Sequence, residues 1–181
     1  TDYIQVDETT LPVINKDSHY AKKEYLWMVR SVMKKLVFFH YDKGSRSGET
    51  ACSLLKSFEG YLQSDGFSAY NVFESNDRVC LVSCMAHIRR RYETALDENK
   101  TLAEYALKQI QQLYRIERMA DEQNLSFDER CKKRNELAGP ILLSFEKWME
   151  KTYPTVLPKS RMGEAISYSY CLWPRMKNYL K

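Results

Sequence analysis

Hydrophobic periodicity changes character once along this chain, near residue 85, and that change restricts the architectures open to it. Upstream, short stretches alternate with period two; downstream, apolar residues recur at helical spacing. Residues 3–7 put Ile4 and Val6 on one face and Gln5 and Asp7 on the other, a strand signature. Residues 25–32, with Tyr25, Leu26, Trp27, Val29 and Val32, and residues 36–41 are β-rich. Lys34-Lys35 between them suits a tight hairpin turn, although the usual Asn-Gly or Asp-Gly pair is missing. These strands in succession predict an antiparallel meander. Residues 49–58 read as a helix with Ala51, Leu54, Leu55 and Phe58 on one side. Residues 61–63 form a short strand entering the turn Ser64-Asp65-Gly66. Residues 67–73 are a short helix or turn, and residues 78–83 an apolar strand.

The rest is helical. Residues 102–122 align Ala106, Ile110, Leu113 and Met119 near one stripe, and Ser126 with Glu129 is a capping box for the next helix. Gly139-Pro140 should break or kink that helix. Residues 141–149 are amphipathic, residues 154–158 connect, and residues 160–173 form a last helix interrupted by Pro174. The resulting order, β-β-β-α-β-α-β and then helices, is that of a ribonuclease H-like fold: a mixed five-stranded sheet with flanking helices. Periodicity by itself gives α/β with a helical tail.

The 181 residues suffice for one core or a small core with a helical subdomain, and 44% apolar content excludes a disordered chain. A net charge of +4 permits nucleic-acid binding without requiring it, so clustering of basic residues matters more than their sum. Cys52, Cys80, Cys84, Cys131 and Cys171 are odd in number and contain no CxxC pair, which fits a reducing cytoplasm better than a secreted disulfide scaffold. No apolar run is long enough for a membrane helix and no signal peptide is visible. Opening in a strand without an initiator Met, the chain reads as an excised part of a longer protein.

Asp7 is the first candidate for chemistry. An acid closing an apolar strand is costly to bury without a partner; a metal ion is one partner, and a solvent-facing position is the plainer reading. Asp65 precedes Gly66 and taken alone is a turn aspartate. In a ribonuclease H-like sheet the first and fourth strands are neighbours. Acids on both would then offer hard oxygen donors to Mg²⁺ or Mn²⁺, with a third carboxylate normally completing a two-metal phosphoryl-transfer site. Cys84-Met85-Ala86-His87 is a CxxH followed by Arg89, Arg90 and Arg91. As a zinc site it lacks a second ligand pair, the other histidines being His19 and His40, so a strand-to-helix corner is the better reading. There Cys84 packs inside, while His87 and the arginines occupy the first helical turns, either binding phosphate or lying on a solvated face. Ser45-Arg46-Ser47-Gly48 opens a helix, so Arg46 and the loop amides are further candidates for phosphate contact. Lys132, Lys133 and Arg134 read equally well as exposed helix.

Four motifs occur in order: Val6-Asp7-Glu8-Thr9, Ser45-Arg46-Ser47-Gly48-Glu49, the run from Gly60 through Ser64-Asp65-Gly66 to Phe67, and the run from Cys84 through His87 and Arg89-Arg90-Arg91 to Tyr92. Together they resemble the transposases of the insertion-sequence-66 family, closely through residue 92 and more loosely beyond. The resemblance implies a DDE-type catalytic core of a bacterial, nucleoid-associated enzyme. Asp7 matches the first family carboxylate and Asp65 the second, and the cofactor is Mg²⁺ or Mn²⁺ in a two-metal site. The partners it implies are DNA, both transposon ends and target, and further copies of the protein assembled on that DNA. It also implies a core in residues 1–100, a helical insertion in residues 101–158, and the start of the final core helix region in residues 159–181. The third family acid lies in an Asn-rich motif that this sequence does not contain, and Glu164 does not occupy its position. The competing readings are a non-catalytic nucleic-acid-binding remnant and a ribonuclease H-like nuclease of another kind.

Overall fold

The computed structural model describes residues 2–14, 20–44 and 46–181. The chain divides into two compact units, Thr1–Val82 and Ser83–Lys181. The first is built on a five-stranded sheet of order β3-β2-β1-β4-β5. Its strands are β1 (Asp2–Ile14), β2 (Ala21–Ser31), β3 (Leu36–Asp42), β4 (Gly60–Ser64) and β5 (Val79–Ser83). β1 runs antiparallel to β2, β2 antiparallel to β3, and β1 parallel to β4, so the sheet is mixed, as the order of periodicities predicts. Alternation sends Ile4, Val6, Trp27, Val29, Leu62 and Leu81 into one core. Ala51 and Leu55 from helix α1 (Gly48–Leu54) and its end cover that core, with Tyr70 and Phe73 from a 3₁₀ turn over Ser68–Phe73. Burying a side chain such as Leu62, which is wholly inaccessible, contributes about 2 kcal/mol. Trp27 and Tyr70 meet edge to face, with centroids 6.2 Å apart.

β1 and β2 are longer than the apolar alternation suggests. Their pairing continues to Ile14↔Ala21, whereas β4 pairs only with residues 2–5 of β1 and β3 only with residues 25–31 of β2. Residues 11–14 and 21–24 therefore form a two-stranded ribbon. A periodicity search does not find it, because Thr9 and Thr10 interrupt the alternation ahead of it and it lacks the continuous buried face that alternation reports. Pro12 is compatible with a strand that has a partner on one side only. Gly60 starts β4 at φ +136°, and a Cβ there would stand 2.2 Å from the Asp2 carbonyl oxygen. Only glycine allows β4 to begin so close to β1.

The second unit is helical: α2 (Met85–Thr94), α3 (Lys100–Glu122), α4 (Phe127–Lys133), α5 (Gly139–Thr152), α6 (Arg161–Cys171) and α7 (Trp173–Lys177). Its own core includes Ile88 and Tyr92 of α2, Phe145 and Met149 of α5, Met162 and Ile166 of α6, and Trp173. α3 contributes Ala103, Ala106, Ile110, Leu113, Ile116 and Ala120, the three-and-four spacing of a single stripe. Met119, expected on that stripe, lies at its flank. The capping box forms as predicted: Ser126 Oγ accepts from Glu129 N at 3.4 Å, and Glu129 Oε2 accepts from Ser126 N at 2.9 Å. At Gly139-Pro140, where a break or kink is expected, the α-helical ladder is interrupted but the path stays helical. A π turn over Arg134–Ala138 joins α4 to α5, and Pro140 falls in the first turn of α5. There the missing N–H costs least, because the widened turn has already broken the i→i−4 ladder. Pro174 likewise sits at the start of α7.

Candidate functional site

The residues on the face of β1 opposite the core define the first part of the site. Gln5 is paired with Gln63 across the parallel β1–β4 contact, and the Gln5 amide donates to Gln63 Oε1 at 2.7 Å. Tyr3 donates its hydroxyl to the same oxygen at 2.5 Å. Asp7 and Asp65 each follow a member of this glutamine pair by two residues, so both lie just beyond the same end of the parallel β1–β4 contact; Asp7, expected to close its strand, sits within β1 and pairs with Met28 of β2. Asp7 is exposed, and its Oδ1 accepts the Glu8 N–H at 3.1 Å. Asp65 is half-buried just past the end of β4, and its Oδ1 accepts the Phe67 N–H at 2.9 Å in an Asx turn. Among the described residues, each aspartate keeps carboxylate oxygen without a hydrogen-bond partner. Among the described residues, no group of three His, Cys, Asp or Glu side chains converges as a metal site.

Glu8 faces the other way, as strand alternation requires, and meets the edge of the core. Its side chain is fully inaccessible. Arg46 donates from Nε to Glu8 Oε1 at 2.7 Å, and its Nη2 forms an ion pair with the same oxygen at 2.6 Å. Tyr70 donates its hydroxyl to Glu8 Oε2 at 2.5 Å. The Arg46 guanidinium also stacks on Phe67, 3.8 Å from the ring centroid. Burial holds the Glu8 carboxyl above the usual glutamate range, overriding its bonds to Tyr70 and Arg46, with the negative charge of Asp65 adding to the effect. Burial also raises the Tyr70 phenol, with the charges of Glu8, Asp65 and Asp7 acting in the same direction. For Arg46, burial opposes the charge, but the hydrogen bonds and charge of Glu8 outweigh it and its pKa is raised. Asp7, Glu8, Asp65, Arg46 and Tyr70 thus share one electrostatic neighbourhood. The sequence marks Arg46 as a candidate for phosphate contact and gives Glu8 no role of its own; an acid beside Asp7 on the core-facing parity is the signal that it needs a cationic partner. Ser45, of the same loop, and His19 lie outside the described residues.

The CxxH run belongs to the helical unit. β5 ends at Ser83 and α2 opens at Met85, so the corner falls where the sequence puts it. Cys84, expected inside, is half-buried, and the buried His87 Nδ1 has no hydrogen-bond partner among the described residues. Arg89 pairs with Glu93 at 2.6 Å, and Arg91 lies 4.8 Å from the Tyr168 ring centroid. Arg90 is exposed and makes no ion pair among the described residues. Of the basic group at residues 132–134, Arg134 is not free: its Nε and Nη2 donate to Glu117 at 2.8 and 2.7 Å.

The family model described as "Transposase IS66 family" matches residues 1–181. Two proteins of Sinorhizobium fredii are similar over 96% of the chain: y4qI at 28% identity and y4jD at 25%. The chain spans 34% and 36% of their respective lengths. With the whole sequence matched by that model, the chain belongs to the IS66 transposase family.

Proposed function

We propose that this chain is part of a DDE-type transposase core with a ribonuclease H-like fold, in which Asp7 and Asp65 bind the divalent cations that drive DNA cleavage and strand transfer. The observation that carries the reading is the position of both aspartates, two residues past the bonded Gln5–Gln63 pair, at one end of the parallel β1–β4 contact. The strand order β3-β2-β1-β4-β5 supports the fold. The donor chemistry fits Mg²⁺ or Mn²⁺, since carboxylate oxygens are the ligands such hard ions take. When bound, a pair of these ions activates the attacking oxygen and stabilises the leaving oxygen of an in-line phosphoryl displacement. Asp7 and Asp65 would hold and space the ions, and the third carboxylate is assigned to the remainder of the full-length protein. Residues 101–158 are proposed as a helical insertion between the core strands and the final core helix. His87 with Arg89, Arg90 and Arg91 is proposed to contact the phosphates of transposon-end or target DNA, with further copies of the protein assembling on it.

The test is cleavage and joining of transposon-end DNA by the full-length protein in Mg²⁺ or Mn²⁺. Asp7→Asn and Asp65→Asn should each lower the rate by roughly 10³-fold or more while leaving DNA affinity in place. Near-wild-type rates in either variant would remove that aspartate from the site.

A further inference from the structure

Asp65 stands outside the hydrogen-bonded ladder. The last β1–β4 pair is Gln5↔Gln63, and β4 ends at Ser64. A carboxylate on a turn is free to drift, and two carboxylates brought together to share a cation repel each other until it arrives. Something must therefore fasten the Asp65 turn to the Asp7 strand. Glu8 is the next residue after Asp7, and Phe67 supplies the N–H that Asp65 Oδ1 accepts. The Arg46 guanidinium touches both: two of its nitrogens contact Glu8 Oε1, and its flat face covers the Phe67 ring. Tyr70 occupies the remaining oxygen of Glu8, so that carboxylate is committed to the clamp rather than free for a metal.

We propose that Arg46 is a positioning residue of the metal site, locking the Asp65 turn to the Asp7 strand through Glu8 and Phe67. The proposal rests on the reading of Asp7 and Asp65 as metal ligands. A contact made only for stability would be an odd use of these groups, because the wholly inaccessible Glu8 carboxylate carries a desolvation cost that its pairing with the more exposed Arg46 largely just offsets. What the pair does supply is a fixed direction: a planar fork on one side and a stacked face on the other. Lysine, a point charge on a flexible stem, cannot reproduce both. The positive charge of Arg46 also acts on Asp65, offsetting the repulsion of its carboxylate by Glu8.

The test is a Mn²⁺ titration of the 181-residue chain followed by backbone amide NMR, where paramagnetic broadening reports even weak occupancy. In the wild type, the Glu8 and Gly66 amides should broaden together, and Asp7→Asn should abolish this at both. Arg46→Gln, Arg46→Lys and Phe67→Leu should each raise the Mn²⁺ concentration required by about tenfold or more. They should also speed hydrogen exchange of the Phe67 amide by about tenfold or more. Unchanged amide shifts for Ile110 and Leu142 would show that the helical unit is intact. If the Arg46 variants stay within about twofold of wild type in both readouts, the clamp is overturned; a loss of duplex-DNA affinity alongside would return Arg46 to phosphate contact. If the wild type shows no broadening near Asp7 and Asp65, or Asp7→Asn leaves it intact, the metal-ligand reading fails. The clamp is then decided by Phe67 exchange alone: acceleration in Arg46→Gln keeps it, and no change removes it.

Discussion

Two glutamates, the inaccessible Glu8 and the half-buried Glu117, are each held by arginine and tyrosine, yet their carboxyls move in opposite directions. Glu8 has one arginine, and the negative Asp65 lies nearby, so burial wins and its pKa rises. Glu117 is also opposed by burial, but it accepts from Arg134, Tyr179 and Arg130 together and is pulled down to about 2. Arg134 further stacks on Tyr179, 4.7 Å from the ring centroid, so the cluster ties α3 to the π turn and to the 3₁₀ turn Asn178–Leu180. A carboxyl lowered on folding stabilises the native state fully above its ordinary value near 4.5, and loses that contribution as pH falls towards 2. Glu117→Gln should therefore destabilise the helical unit by about 2–3 kcal/mol at neutral pH, since it leaves two largely buried arginines unpaired. Urea titrations of wild type and variant at several pH values would show the gap closing between pH 5 and pH 2. A gap independent of pH would mean the cluster works by packing rather than charge.

At the scale of elements, what the sequence made legible follows from where a buried face exists. β3, β4, β5 and the long helix α3 are each found within a few residues of their expected bounds, because each sets apolar residues against a core at its own period. The ribbon of residues 11–14 and 21–24 was not legible for the converse reason. The π turn was missed because Gly139-Pro140 carries the usual signature of a helix end, and only packing of Leu142 and Phe145 on α5 into the core keeps the path helical. Of the candidate site, the sequence offers the aspartates, whose proposed role comes from the family resemblance, whereas the Glu8–Arg46 pair joins residues 38 positions apart and no local pattern encodes it. Gly60 is the sharpest local constraint on the sheet. Gly60→Ala would combine a strained φ of +136° with a Cβ 2.2 Å from the Asp2 carbonyl oxygen, and relief requires β4 to move away from β1. A loss of about 2 kcal/mol or more is expected in chemical denaturation. Because β4 carries the approach to Asp65, Mn²⁺ binding should weaken as well. A variant as stable as wild type would show that the β1–β4 start is soft.

The molecule as a whole is two units with separate cores, and that partition bears on where a helical insertion begins. α3 hides its stripe against α2 and α5, and Ile88 and Tyr92 of α2 are wholly buried in the same core as Phe145 and Ile166. A fragment of residues 83–181 should therefore unfold cooperatively by circular dichroism. A fragment of residues 101–158 should not, having lost α2, α6 and α7 and left that stripe in water. Cooperative folding of the shorter piece would make it the independent insertion. The same unit carries the proposed DNA contact, and its charges are not equivalent. The net charge of +4 gives only weak general attraction, so affinity must come from arginines whose charge is still available. Arg89 is neutralised by Glu93, and Arg91 is laid on Tyr168, while Arg90 is exposed without an ion pair among the described residues. Each phosphate neutralised releases condensed counterions, so removing one contact should reduce the slope of log affinity against log salt by about 0.9. Arg90→Ala should show that reduction on duplex DNA, with weaker binding that does not depend on sequence, as expected of a phosphate contact. Arg89→Ala should show less, because its charge is already matched at 2.6 Å by Glu93. If Arg90→Ala keeps the wild-type slope while Arg89→Ala loses it, the Glu93 pair is broken on binding and the contact lies one residue earlier on α2.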